Sequence, residues 1–307
     1  MKKSVKQILS ISILLIILAF AAYYIYKNID SFKELTIVSP HFIVILVIIF
    51  LLSYVTITYQ TIVILNPFKI KLGFFEGFQL SIITGFYNLI TPFRGGMATR
   101  AIYLKKKYEF PYTAFLATLS ASYIVLFFIF AFFGLVSTYL LYLRVGPFNP
   151  IIPLIFLGTF LSMLFIMVFS PRIKETKSNW LNRFINVING WHLIKNNFRT
   201  IFMTSIMGIL QILIGAFALQ IQFSVFGIPL DFVSAMFLTS IGGISIIIAI
   251  TPANLGVGEV IGVFSALTIG ITPTQSLSAA ILGRAVQFIV MFILGPIFSY
   301  LLLKKKN

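Results

Sequence analysis

The sequence predicts an all-α, polytopic integral membrane protein with about six full spans and two re-entrant helical hairpins. Three observations predict this class. Of the 307 residues, 59% are hydrophobic and 10% are charged, and the mean hydropathy is +1.04. Several apolar runs are long enough to cross a hydrocarbon core of about 30 Å. Lys and Arg stand mainly in short connections between these runs, which is typical of cytoplasmic loops in membrane proteins.

The composition also narrows the function classes. No polar stretch exceeds about 30 residues, so we expect no separate soluble domain. The net charge of +16 is explained by cytoplasmic loops and contacts with anionic lipid, so we expect no nucleic-acid partner. The sequence has no cysteine and two histidines, His41 and His192. It therefore predicts no disulfide, no metal site and no cofactor.

Six apolar runs predict full spans. They cover residues 8–26, 42–65, 112–142, 151–169, 201–226 and 273–303. The first run follows three lysines and is longer than the apolar part of most signal peptides. We interpret it as an uncleaved first helix with a cytoplasmic N-terminus, with a cleaved signal peptide as the alternative.

Two further apolar segments meet helix breakers and predict re-entrant hairpins. If residues 74–110 enter and leave the membrane on one side, the loop at 171–199 faces the cytoplasm. That loop holds six Lys and Arg residues against one Glu, so its cytoplasmic placement satisfies the positive-inside rule. Treating residues 232–270 in the same way places the C-terminal lysines in the cytoplasm as well.

The chain is predicted to be a single membrane domain over residues 1–307. Its parts are a first helix and loop at 1–40, repeat half one at 41–170, a cytoplasmic amphipathic linker at 171–199 and repeat half two at 200–307. The linker is predicted to be a helix in the membrane interface, because apolar residues recur at helical spacing opposite Asn and basic residues. These apolar residues are Trp180, Phe184, Ile188, Trp191, Ile194 and Phe198.

The hairpins carry the signs of an internal repeat. The tripeptide Ile-Thr-Pro at 90–92 recurs at 250–252, an offset of 160 residues, and Gly96 and Gly256 keep that offset. The first hairpin is predicted to enter from the cytoplasm and the second from outside. The halves are therefore predicted to be inverted repeats, as in secondary transporters whose broken helices meet at a central site.

The candidate substrate-binding residues lie at the hairpin tips and on the last span. They are Pro92, Arg94, Gly95, Gly96, Arg100, Pro252, Asn254, Gly256, Gly258, Glu259 and Arg284. Half-helices that start after the two prolines present unpaired N–H groups and a positive dipole end, which suit a phosphate or a carboxylate. A charge inside the membrane costs roughly 2.5–3.5 kcal/mol. Glu259 and Arg284 are therefore expected to form an ion pair, with proton coupling or gating as a further role.

Structural alternatives exist for these residues. Gly258 and Gly262 have the spacing of small residues that only allow close helix packing. Arg94 and Arg100 are either anchors at the interface or ligands of a lipid phosphate. No P-loop, nucleophile elbow or catalytic triad is present in the sequence, so we predict no catalytic residues.

Both hairpin motifs resemble the lysylphosphatidylglycerol synthase transmembrane-region family, also called flippase-like. The resemblance rests on ITPFRGGMATRAIYL at 90–104, on TPANLGVGEV at 251–260 and on Arg284, and it covers nearly the whole chain. In bifunctional members, this module is thought to move aminoacylated phospholipid between leaflets. A separate C-terminal domain makes that lipid from aminoacyl-tRNA, and the resemblance implies that this chain lacks it.

We therefore expect a multi-pass protein of the cell membrane with both termini in the cytoplasm. Its expected function is to move a phospholipid, such as aminoacylated phosphatidylglycerol, or a polyprenyl-linked lipid between leaflets. Those lipids are the expected partners, and a homo-oligomer and a separate synthase partner are both compatible with the sequence. The alternative is a lipid aminoacyltransferase (phosphatidylglycerol lysyltransferase) or a membrane subunit of one.

Overall fold

The computed structural model is mostly helical in the part of the chain that it describes. The described residues are 36–146, 149–169, 172–174, 176, 179–248 and 251–304, with 23, 26, 27, 29 and 30. Ten α-helices and no strand occur within these ranges. They are α1 His41–Leu65, α2 Phe74–Ile90, α3 Gly96–Tyr108, α4 Tyr112–Val145, α5 Ile151–Phe169, α6 Asn179–Lys195, α7 Phe198–Ser224, α8 Phe232–Ser245, α9 Val257–Leu267 and α10 Pro273–Lys304. Short 3-10 turns are Asn66–Phe68, Pro92–Arg94, Ile246–Ile248 and Pro252–Asn254.

Five described helices are long and apolar enough to cross a membrane, namely α1, α4, α5, α7 and α10. They coincide with five of the six predicted full spans, and the sixth, at 8–26, lies largely outside the described residues. Phe156 is the only residue of α5 that the described part of the protein buries, so most of the apolar surface of this helix faces away from the other described helices. Such exposure is compatible with lipid around the bundle. The predicted all-α, polytopic membrane class is confirmed.

The two helix pairs α2–α3 and α8–α9 stand where the hairpins were predicted, and the members of each pair pack against each other. The longer members, α2 and α8, have 17 and 14 residues. At 1.5 Å per residue they reach about 26 and 21 Å, which is short of a core of about 30 Å. Neither helix is therefore long enough to cross the membrane alone, as expected of a hairpin that enters and leaves the membrane on the same side.

Both hairpin tips begin with the same backbone conformation. Thr91 and Thr251 are extended, as expected for residues that precede proline. Two left-handed residues follow in each tip: Phe93 (φ 54°) and Arg94 (φ 55°), and Ala253 (φ 51°) and Asn254 (φ 59°). These rare conformations recur at the offset of 160 residues found in the sequence, which supports an internal repeat.

Helix packing relates the two halves by inversion. In the first half, α2 packs on α1 and on α10. In the second half, the corresponding helix α8 packs on α7 and on α4. The corresponding helices α1 and α7 are antiparallel, because the Val38 N–H donates to the Val225 carbonyl at one end (2.9 Å) and Ile64 and Ile201 share an apolar cluster at the other. The fold therefore agrees with an inverted repeat of α1–α4 and α7–α10. Helix α5, predicted to belong to the first half, has no counterpart in these pairs.

The amphipathic linker contains α6, which packs on α4 and α7. Trp191 and Ile194 are buried, and an added Cβ at Gly190 would lie 2.4 Å from the Cβ of Ala117 on α4. The apolar face of α6 thus lies partly against protein. The inclusion of Phe198 in this face is wrong: α6 ends at Lys195, Asn197 caps α7, and Phe198 is 79% exposed. The side chains of Trp180 and Phe184 lie outside the described residues.

Candidate functional site

The tips of the two hairpins meet inside the helix bundle. The turns Pro92–Arg94 and Pro252–Asn254 contact each other, and the second turn also contacts α2. Ala253 packs against a buried cluster that includes Leu89 of α2 and Met291 of α10. The structure therefore brings the two sequence motifs together where broken helices of opposite orientation meet, the usual location of a transporter site.

Two arginines form a positive cluster beside the first tip. The Cζ of Arg94 lies 5.5 Å from the ring centroid of Tyr123 on α4, and its Nη1 is buried without a hydrogen-bond partner among the described residues. Arg100 donates from Nε to Thr84 Oγ1 and from Nη1 to Thr61 Oγ1, both at 3.1 Å. No salt bridge to either arginine occurs in the described part of the chain. This cluster therefore carries two positive charges and at least one unused donor.

The space beside Arg100 is narrow, and its lining mixes apolar side chains with hydroxyl groups. A cavity of about 30 Å³ lies beside it between α1, α3 and α4, and its lining includes the hydroxyls of Thr118 and Ser122. The phenol groups of Tyr54 and Tyr123 lie close to the Arg100 guanidinium. A cavity of this volume holds about one water or one ligand oxygen, so a whole head group requires some opening between α3 and α4.

Glu259 and Arg284 form the second charged cluster, between α9 and α10. Arg284 donates from Nε to Glu259 Oε1 at 2.6 Å and from Nη1 to Gln287 Oε1 at 3.0 Å. The other carboxylate oxygen, Oε2, accepts the Gly256 N–H at 2.6 Å, and Gly256 has φ 80°. Glu259 thus occupies the positive N-terminal end of α9, where a ligand anion was expected to bind. The two side chains are 15% and 24% exposed.

The glycines of the tips allow close approaches. An added Cβ at Gly96 would lie 2.0 Å from the backbone oxygen of Thr84, so the start of α3 lies directly on α2. At Gly258 an added Cβ would lie 3.5 Å from Arg284 Nη2, while at Gly262 it would meet nothing within 4 Å. At Gly258 the added Cβ would lie even closer to Asn254 Nδ2, at 3.2 Å, so Gly258 packs against Asn254, whereas Gly262 makes no close contact with the described residues.

Unpaired polar atoms surround the tips. Asn254 donates from Nδ2 to Ser245 Oγ at 3.3 Å, but its Oδ1 is buried without a partner in the described part of the protein. Asn88 Oδ1, near the first tip, and Arg94 Nη1 are also buried without a hydrogen-bond partner among the described residues. Buried polar groups are normally paired, so these donors and acceptors are available to a polar ligand.

The predicted site residues separate into three sets. Arg94 and Arg100 form one cluster, and Asn254, Gly258, Glu259 and Arg284 form another. The remaining predicted residues shape the backbone of the tips: Pro92, Gly95, Gly96, Pro252 and Gly256. No salt bridge joins the two charged clusters within the described ranges, so they adjoin through the contacting tips without forming one ionic network.

Four residues that surround the arginines were missed from the sequence. They are Tyr54, Thr61, Thr84 and Tyr123. A partial signal exists in α1, where Tyr54, Thr58 and Thr61 recur at i, i+4 and i+7 inside an apolar span and therefore share one face. Polar residues on one face of a membrane helix indicate contact with protein or a polar cavity.

Comparison with known proteins assigns the chain to a family. The sequence matches the family described as "Lysylphosphatidylglycerol synthase TM region" over residues 7–295, a range that includes both hairpins and Arg284. No curated protein and no solved structure matches the chain. The matched residues cover nearly all of the sequence, with both hairpin tips and both charged clusters inside them. The chain therefore belongs to the family of the lysylphosphatidylglycerol synthase transmembrane region.

Proposed function

We propose that the protein binds the phosphate of a membrane lipid at Arg94 and Arg100 and moves that lipid between leaflets. The observation that carries this proposal is the pair of arginines beside the first tip, which have no carboxylate partner among the residues that the structure describes. Family membership supports a membrane lipid as the substrate, because the family is described by a lipid synthase region.

The chemistry of the arginines suits a phosphate. A guanidinium offers several N–H donors in a planar fork that matches phosphate oxygens, and it remains charged inside a protein. Arg94 leaves Nη1 unused, and an unpaired buried donor costs about 1–3 kcal/mol, or more when it is charged. A phosphate oxygen at Arg94 removes that cost and neutralises part of the charge.

The fold supplies a place for the lipid tails as well. A mainly apolar cavity of about 260 Å³ lies between α1, α7 and α10, lined among others by Leu46, Phe50, Ile214 and Val286. Aliphatic side chains around a cavity that opens to the bundle surface suit an acyl or prenyl chain. The inverted halves offer a route for transport, because the same contacts can exchange between the two sides of the membrane.

The proposal also covers the lipid class, the membrane and the orientation of the protein. Phospholipids such as aminoacylated phosphatidylglycerol and polyprenyl-linked lipids both carry the phosphate that the arginines would bind. We place the protein in the cell membrane with both termini in the cytoplasm, in agreement with the basic loops. Synthesis of aminoacylated lipid from charged tRNA by the purified chain would instead favour the aminoacyltransferase alternative.

Lipid binding to arginine variants tests the proposal. Arg94→Gln and Arg100→Gln should each weaken binding of a labelled anionic phospholipid in nanodiscs at least tenfold, since each removes a charge-assisted contact worth about 1.5–3 kcal/mol. Arg94→Lys should have an intermediate effect, because it keeps the charge but loses the fork. Arg144→Gln is the matched control: Arg144 pairs with Asp231 and its side chain is 58% exposed. Equal binding by the Arg94, Arg100 and Arg144 variants would contradict the proposal.

A further inference from the structure

The open end of the first hairpin holds a cage around the Lys107 ammonium group. Glu76 lies in the first turn of α2 and Lys107 in the last turn of α3, so the cage joins the two ends of the hairpin. Lys107 Nζ lies 2.7 Å from Glu76 Oε2. It also lies 5.9 Å from the ring centroid of Tyr103 and 5.3 Å from that of Tyr108. A carboxylate and two aromatic rings thus surround one cation.

The walls of this cage hold together without the lysine. Tyr103 and Tyr108 both donate their hydroxyl protons to Glu76 Oε1, at 2.7 and 2.9 Å. These bonds fix the carboxylate, leave Oε2 for the cation and hold the two rings in place. The Lys107 side chain is 39% exposed, compared with 20% for Glu76. The walls are therefore pre-organised, whereas the flexible lysine can leave by rotating its side chain.

We infer that Glu76, Tyr103 and Tyr108 form a binding site for an alkylammonium group, and that Lys107 occupies this site in the present conformation. Cations bind to aromatic faces within about 6 Å of the ring centroid, and a carboxylate adds a charge-assisted hydrogen bond. The ligand class is a primary alkylammonium group, from a lipid head group or from a soluble amine.

The position of the cage connects it with the proposed phosphate site. Arg100 and Lys107 lie seven residues apart on α3, which places them on the same side of the helix about 10 Å apart. If Arg100 binds phosphate, a lipid bearing both phosphate and ammonium can contact both sites. Binding of such a lipid rests on the proposed function, whereas binding of a soluble amine to the cage does not.

Chemical rescue tests the cage directly. Lys107→Ala should lower the melting temperature of the purified protein in detergent. Ethylammonium chloride should then raise it by about 2–4 °C compared with sodium chloride at the same ionic strength. Wild-type protein should not respond, because Lys107 fills the cage. Lys105→Ala is the control from the same helical turn, since Lys105 contacts the Glu109 carbonyl and not the cage. If Lys107→Ala does not fold alone, recovery of folded protein in ethylammonium gives the same result.

Two further arms separate the possible outcomes. In Lys107→Ala, tighter binding of phosphatidylethanolamine than of phosphatidylglycerol, lost after adding Glu76→Gln, supports the lipid source. Rescue by ethylammonium without that preference supports a soluble amine. The absence of both effects overturns the site. Rescue by amine is independent of Arg94 and Arg100, so it can succeed where the phosphate proposal fails, and the reverse is equally possible.

Discussion

Removing either partner of the Glu259–Arg284 pair should destabilise the protein by an amount that depends on which partner is lost. The pair has a contact of 2.6 Å, and its side chains are only 15% and 24% exposed. Breaking a fully buried pair costs about 3–5 kcal/mol, and partial exposure reduces this to about 2–4 kcal/mol. Glu259 also accepts the Gly256 N–H and complements the α9 dipole, so its loss removes more than one interaction.

The order of the variants follows from these contacts. Glu259→Ala should be the most destabilised, because it loses the ion pair and a helix cap worth about 1 kcal/mol. Glu259→Gln should be milder, since its amide oxygen can still accept the Gly256 N–H. Arg284→Gln should be the mildest, because the remaining carboxylate stays at the positive end of α9, where the dipole contributes about 0.3–1 kcal/mol.

The assay is a double-mutant cycle measured by unfolding in detergent. Glu259→Gln combined with Arg284→Gln should cost at least about 1.5 kcal/mol less than the sum of the single changes. The surface pair of Arg144 and Asp231 is the control cycle and should show a coupling of no more than about 1 kcal/mol. Equal coupling in the two cycles would refute the assignment of a buried ion pair. Loss of lipid exchange in a well-folded Glu259→Gln protein, without rescue by Arg284→Gln, would instead indicate that Glu259 acts alone on a proton or head group.

The other predictions concern backbone, pH and topology. Gly96→Ala should cost more than about 3 kcal/mol in unfolding experiments, because its Cβ would lie 2.0 Å from a backbone oxygen, whereas Gly262→Ala, with open space, should be near neutral. Burial raises the pKa of Asp231, but hydrogen bonds from the Ser234 hydroxyl and nearby amides, with the charge of Arg144, outweigh it and lower the pKa below its ordinary value. Asp231→Ala should therefore cost about 1 kcal/mol near neutral pH, and the difference from wild type, measured by unfolding at several pH values, should disappear as acid protonates this carboxylate below its folded pKa. A cysteine label at Asn179 should react from the cytoplasm and one at Gly227 from outside, and labelling of Asn179 from outside would contradict the topology with two re-entrant hairpins.

Much of the fold follows from local patterns in the sequence. Apolar length defined α1, α4, α5, α7 and α10 to within a few residues, because span length is set by bilayer thickness. The helix breaks followed from Pro92 and Pro252, since proline excludes a continuous helix at these points. The two Thr-Pro pairs lie 160 residues apart in the sequence, and in the structure each pair is followed by two left-handed residues.

The environment of the site was less predictable, because it depends on contacts between distant helices. Arg100 contacts Thr61 and Thr84, which are 39 and 16 residues away, and their pairing depends on helix rotation. The pairing of Glu259 with Arg284 was expected, because an intramembrane charge needs a partner. The contact of Lys107 with Glu76 could not be predicted from the sequence, because it requires the hairpin to close.

Leaflet exchange in liposomes tests the central claim most directly. Wild-type protein is reconstituted with a panel of lipids labelled in the head group, and the fraction of label accessible from outside is followed with time. We predict that lipids with a phosphate in the head group exchange between leaflets. The double variant Arg94→Gln and Arg100→Gln should slow this exchange at least tenfold, whereas Arg144→Gln should not slow it. Exchange that is absent for every lipid in the panel, or that is unchanged in the double variant, would contradict transport through the arginine cluster.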